Sequence, residues 1–204
     1  MSRLNVWREP SNLVAALAVA ISLISLVVSL RSCVVAEQSL KLSLVEFKSQ
    51  RAIILGGEVV ADGTALRLKA LDSNVVLQEA RAVFPSVIDN QEWPVLPPNY
   101  DLYIVVPRLA LQRIVEERIG RKPGTFKIAL DANLPLVIKS LYTAKGEAFE
   151  NRSIYRIMYS FSIDGDNAEP PKIEFKGLVF VQHLEPSIDA RAYLDQLWEQ
   201  VIHR

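Results

Sequence analysis

Hydrophobic and polar positions follow three different rhythms along this chain. The first rhythm is no rhythm at all. Residues 13–30 run without a charge, a glycine or a proline, and eleven of these eighteen are Leu, Val or Ile. As a helix the run is about 27 Å long, close to the hydrocarbon thickness of a bilayer. On insertion scales its aliphatic side chains favour the membrane by about 3–7 kcal/mol. Arg31 follows and can snorkel, so Ser32, Cys33, Val34, Val35 and Ala36 extend the span. The pattern predicts a polar tail over 1–12, a single transmembrane helix over 13–36 and a helical extension or linker over 37–50.

A second pattern lies within and beyond that helix. Ala15, Ala18, Ser22, Ser25, Ser29, Ser32, Ala36, Ser39 and Ser43 fall at alternating spacings of three and four, every a and d position of one heptad register. A 3.5-residue period kept this long predicts that the helix continues past the membrane, toward Lys48. Small residues on one face let a second helix approach closely, which is how membrane helices associate where hydrophobicity supplies no drive. The expected partners are therefore the lipid bilayer and another helix, from an identical chain or a different membrane protein.

From Arg51 the period changes to two. Ala52 to Val60 forms a strand candidate that ends at the Asp62-Gly63 turn, and Leu66, Leu68 and Ala70 alternate with Arg67 and Lys69. Val75 to Phe84 returns after Asp72-Ser73-Asn74 and stops at Pro85. Trp93-Pro94 and Pro97-Pro98 mark a loop, Asp101 to Val106 a strand, and Pro107 opens a helix that Gly120 ends. Leu111, Ile114, Val115 and Ile119 share one face of it. Phe126, Ile128 and Leu130 alternate again. Leu134 to Tyr142 and Ile154 to Ile163 read as a long hairpin pair through Lys145-Gly146, and Ile173 to Val181 as the last strand. A helix over 187–204 follows, with Ser187 as N-cap, Asp189 in the first turn, and a stripe of Ala190, Leu194, Leu197 and Val201 beside Tyr193 and Trp198. The predicted fold class is mainly β with α additions. A transmembrane helix precedes an antiparallel β-sandwich-like, immunoglobulin-like domain over 51–186, and an amphipathic helix closes the chain.

Composition changes this picture mostly by exclusion. The 204 residues hold 23 Lys plus Arg against 23 Asp plus Glu, so the counterion release that drives nucleic-acid binding has no excess positive charge behind it. Cys33 is the single cysteine, which rules out an intramolecular disulfide. Two histidines, His183 and His203, serve zinc poorly, and no metal or cofactor is expected. Arg31, Lys41, Lys48 and Arg51 after the span, against Arg3 and Arg8 before it, lean toward a cytoplasmic domain. Trp7 sits where an interfacial aromatic is favoured. Val34-Val35-Ala36 before Glu37 also reads as a signal-cleavage site, which would release an exported β-domain. Lipoprotein processing at Cys33 conflicts with the arginine at position 31.

Candidate chemistry is sparse. Asp164-Gly165-Asp166-Asn167 lacks the later glutamate of a calcium loop and reads as a turn. Gly56-Gly57 lacks the lysine and further glycines of a phosphate loop. Asn151-Arg152-Ser153 matches a glycosylation sequon, which has meaning only in a eukaryotic secretory pathway. Glu116 and Glu117 beside Arg113 and Arg118 read as an ion-paired solvent face. His183 is expected to be structural rather than a base. The expectation is a single-pass membrane protein whose β-rich domain binds or scaffolds another protein, with no catalytic residue assigned. The alternative is a ligand-binding domain or enzyme with a pocket near Trp93 or His183.

Overall fold

The computed structural model describes residues 10–49, 52–120, 123–166 and 169–202, in two units that divide after Ala52. Trp7, Asn167 and His203 lie outside the described residues. The first unit is one helix, α1, Pro10–Ser49. Proline at its first position has no N–H to lose, and the long aliphatic run that follows contains no helix breaker. The stretch Leu17–Leu40 is long and apolar enough to cross a membrane. None of it is buried within the chain, so this apolar surface has no cover of its own.

The second unit is mainly β. Its strands are β1 (Leu55–Val60), β2 (Ala65–Ala70), β3 (Val75–Val83), β4 (Glu92–Val95), β5 (Asp101–Tyr103), β6 (Phe126–Ala144), β7 (Glu147–Asp164) and β8 (Lys172–His183). Two helices accompany them, α2 (Val105–Ile119) and α3 (Ala190–Ile202). All eight strands join one antiparallel sheet in the order β4-β3-β6-β7-β8-β1-β2-β5. The immunoglobulin-like sandwich is thus not confirmed, because no second sheet faces the first among the described residues. Instead the single sheet curls until its edge strands β4 and β5 come close together, and every strand sends side chains into one enclosed core. Leu55, Leu66, Leu102, Leu134, Leu136, Tyr155 and Ile157 are among the residues buried there.

Periodicity explains most of this. On β6, Leu134, Leu136 and Ile138 point into the enclosed core, while Val137 points out toward a second, smaller cluster. That cluster joins Val83, Val137 and Ile154 of the sheet to Ala190 and Leu194 of α3. Lys145 and Gly146 both take positive φ, 52° and 82°, which matches the two-residue turn joining β6 to β7. Glycine accepts such a φ without a Cβ clash.

Four details differ from the sequence reading. Trp93-Pro94 belongs to β4, an edge strand, where proline's missing N–H leaves no ladder bond unmade. Residues 104–106 leave the strand early, and α2 begins at Val105 with Pro107 in its first turn. Phe126 to Ala144 is one strand rather than two, because a bulge at 130–131 carries the chain through the break in alternation. Asp189, not Ser187, caps α3: its carboxylate accepts the Ala192 N–H at 2.8 Å, which holds its pKa below the usual range.

Candidate functional site

The sheet leaves a gap in its wall. β3 pairs with β6 only from Val137 onward, so the N-terminal half of β6 has no strand on that edge among the described residues. The C-terminal halves of α2 and α3 come to this stretch, and a groove of about 480 Å³ lies between them and β6–β7. That volume is within the range of small-molecule sites, roughly 300–1,000 Å³. Ile114, Val115 and Ile119 of α2 line it, with Phe161 of β7 and Leu197 of α3.

These walls are held firmly. Asp195 of α3 accepts two hydrogen bonds from Ser86, from its N–H at 2.6 Å and its hydroxyl at 2.7 Å. Arg152 donates to the carbonyls of Pro186 and Ile188 at 2.9 and 3.0 Å, and Arg191 donates to that of Asp89 at 2.8 Å. On α2, Gln112 donates to the Pro171 carbonyl at 2.9 Å. The groove is therefore preformed, with rigid elements on each side.

Its polar groups are incompletely satisfied. Trp198 is only 5% exposed, yet its indole N–H, a donor only, has no acceptor among the described residues. The side-chain oxygen of Asn133, also buried, has no donor among them. Tyr159 is 6% exposed, and burial without a hydrogen bond pushes its hydroxyl up to about 12. Arg118 and Arg156 bring two guanidinium groups to the same walls. Leaving a buried polar group unpaired costs about 1–3 kcal/mol, and two such groups, one donor and one acceptor, belong to residues that line this groove.

The candidates singled out in the sequence fall elsewhere. His183 Nδ1 lies 2.9 Å from Ser153 Oγ, and the Asn151 amide donates to Ser153 Oγ at 2.8 Å and to the Ile53 carbonyl at 3.2 Å. The direction of the Ser153–His183 bond follows the imidazole tautomer. Desolvation lowers the His183 pKa and so favours the neutral ring. Ser153 is 1% exposed, so no substrate reaches its oxygen, and the cluster ties β7 and β8 to the segment before β1. It also occupies the Asn151 side chain of the sequon. Trp93 donates to Asp89 at 3.1 Å and packs on the core without lining the groove. Asp166 accepts the Gly124 N–H at 2.7 Å and closes a turn. The Gly56-Gly57 pair serves packing: a Cβ on Gly57 would lie 2.6 Å from Leu178 Cβ on β8.

On α1, Ala18, Ser22, Ser25, Ser29, Ser32, Ala36 and Ser39 are all exposed, and the side chains of Ala15 and Ser43 lie outside the described ones. Ser32, Ala36 and Ser39 line a shallow furrow beside Val28 and Val35. Ser22 and Ser32 donate to the carbonyls four residues earlier, Ala18 and Val28, at 2.9 Å each. Their hydroxyls are thus satisfied within the helix itself.

The groove was not legible beforehand, since its residues come from four elements and no short motif joins them. Ile114, Val115, Ile119, Leu197 and Trp198 carried a signal only as apolar faces of two helices. No protein-family model matches the chain, and no curated protein or solved structure matches it either.

Proposed function

We propose that the chain is a single-pass membrane protein whose curled β-domain binds a ligand in the groove between α2, β6–β7 and α3. The observation that carries this reading is the indole N–H of Trp198, buried without a partner among the described residues in the wall of a preformed groove. Retention of α1 as an anchor is favoured by its apolar length and by Arg31, which separates the apolar run from the Ala36 cleavage site. The basic residues that follow the span favour a domain on the cytoplasmic side. Along α1, the stripe from Ala15 to Ser43 is the face on which a second helix packs.

A protein-interaction or scaffolding role is the second reading. Phe126, Ile128 and Leu130, each 57–66% exposed, stand on the unpaired half of β6. A sheet edge with apolar side chains suits strand addition by a partner chain.

The test is fragment binding to the full chain in lipid discs, read by saturation-transfer NMR. Wild type is expected to bind several fragments that Leu197→Trp, which adds bulk at the groove wall, no longer binds. A wild type that binds none, or a variant that binds the same set, overturns the groove reading.

A further inference from the structure

We propose that the groove binds a neutral ligand built as one amide on a hydrocarbon body. The amide carbonyl takes the Trp198 indole N–H, and the amide N–H reaches the side-chain oxygen of Asn133. The proposal rests on the reading of the groove as a ligand site and names the chemistry of the ligand.

The first observation is a matched pair of unmet groups. Trp198 contributes a buried donor and Asn133 a buried acceptor, neither with a partner among the described residues, and both residues line the groove. An indole N–H can only donate, so it needs an acceptor, while a carboxamide oxygen needs a donor. A secondary amide carries one of each on a single planar unit. A carboxylate only accepts and an ammonium only donates, so either ion would leave one of the two groups unmet.

The second observation is the placement of charge. Arg118, Arg156 and Asp131 line the groove but are all exposed, where water solvates them. Arg118 already has a partner, and Asp131 lies 3.7 Å from Lys176. None of the three is buried, so none calls for a counter-charge from a ligand. The C-terminal halves of α2 and α3 bring negative dipole ends that oppose an anion, and the two arginines oppose a cation. A neutral ligand fits this balance.

The third observation is the apolar remainder. Ile114, Val115, Phe161 and Leu197 supply hydrocarbon to the walls, which an apolar body would cover. A peptide strand would instead bring a further amide with every residue. Pro135, in the β6 wall, has no N–H to join such a ladder.

The experiment uses the full chain in lipid discs, isotope-labelled at tryptophan, with two probes of the same shape. These are N-methyloctanamide and methyl octanoate, in which an ester oxygen replaces the N–H. Trp93, whose indole already donates to Asp89, is the internal reference. N-methyloctanamide is expected to move the Trp198 indole proton resonance downfield and leave that of Trp93 in place; Trp198→Phe assigns the signal. Affinities are read by saturation transfer, and each probe is compared only with itself across variants, so its solubility in the bilayer cancels. Asn133→Leu, similar in size but without the acceptor, is expected to weaken the amide about three- to tenfold, as for loss of one neutral hydrogen bond, and the ester not at all. Trp198→Phe should weaken both probes by a similar factor. Equal effects of Asn133→Leu on the two probes overturn the proposal. A Trp198 indole already hydrogen-bonded in the ligand-free protein overturns it, as does a capped Leu-Leu peptide that binds more tightly than N-methyloctanamide. These last two measurements are made on wild type and decide the matter even if a variant fails to fold. A protein that binds fragments but neither probe also overturns the amide, and leaves the reading of the groove as a ligand site standing.

Discussion

At Gly57 the strands β1 and β8 pass so closely that a single added carbon has nowhere to go. The Cβ of an alanine there would sit 2.6 Å from Leu178 Cβ, which is fixed to its own backbone and cannot swing aside. Gly57→Ala is expected to destabilise the domain by about 1–3 kcal/mol in denaturant titration. Gly56→Ala meets only the far end of the Leu71 side chain and should stay within about 0.5 kcal/mol of wild type. The sequence shows that the pair is no phosphate loop but hides its purpose, because Leu178 is remote along the chain. Tyr159 offers a test at alkaline pH. Its folded pKa, about 12, lies above the usual tyrosine value near 10. Between those values the unfolded state releases the proton while the folded state keeps it, so the stabilisation present below pH 10 is lost as pH rises through 12. Tyr159→Phe should flatten that alkaline limb of a stability–pH profile, while wild type loses about 2–3 kcal/mol across it.

Elements with strong periodicity were the legible ones. α1, α2 and the strands β2, β3, β7 and β8 emerge near their expected places, because a 3.6- or 2-residue period is written in consecutive side chains. Where local and tertiary signals conflict, the reading fails. Pro94 argues against a strand locally, yet an edge position removes the objection, and which strand lies at the edge is a property of the sheet. The bulge in β6 likewise looked like a strand boundary. For α1 the structure leaves its surface uncovered, and geometry states what a partner helix would need. Replacing Ser22 and Ser25 with isoleucine puts branched side chains on the small-residue face. Association in a membrane two-hybrid assay should fall in a graded way, since such contacts are worth about 1–2 kcal/mol or less. Leu23→Ile with Leu26→Ile, off that face, should change little. Equal association in both double mutants would remove self-association along this stripe.

For the molecule as a whole, the open alternative is between an anchor and a released domain. Carbonate extraction followed by N-terminal sequencing is expected to recover the intact chain in the membrane fraction. A soluble product beginning at Glu37 would establish cleavage instead. Fold class was readable to the level of antiparallel β with flanking helices. Whether strands divide into two sheets or close into one depends on pairings between distant segments, which no local period encodes. One of these pairings has a consequence for how the domain is made. β1, the strand that follows α1, meets β8 at Gly57–Leu178, while among the described residues β2 and β5 reach the rest of the sheet only through β1. A ribosome that has delivered everything up to Pro171 has therefore supplied seven strands but not the one that joins the two halves. The β1–β2–β5 half waits, its edge unpaired, until residues 172–183 emerge, so assembly of this domain depends on its last strand and is a natural point of chaperone dependence.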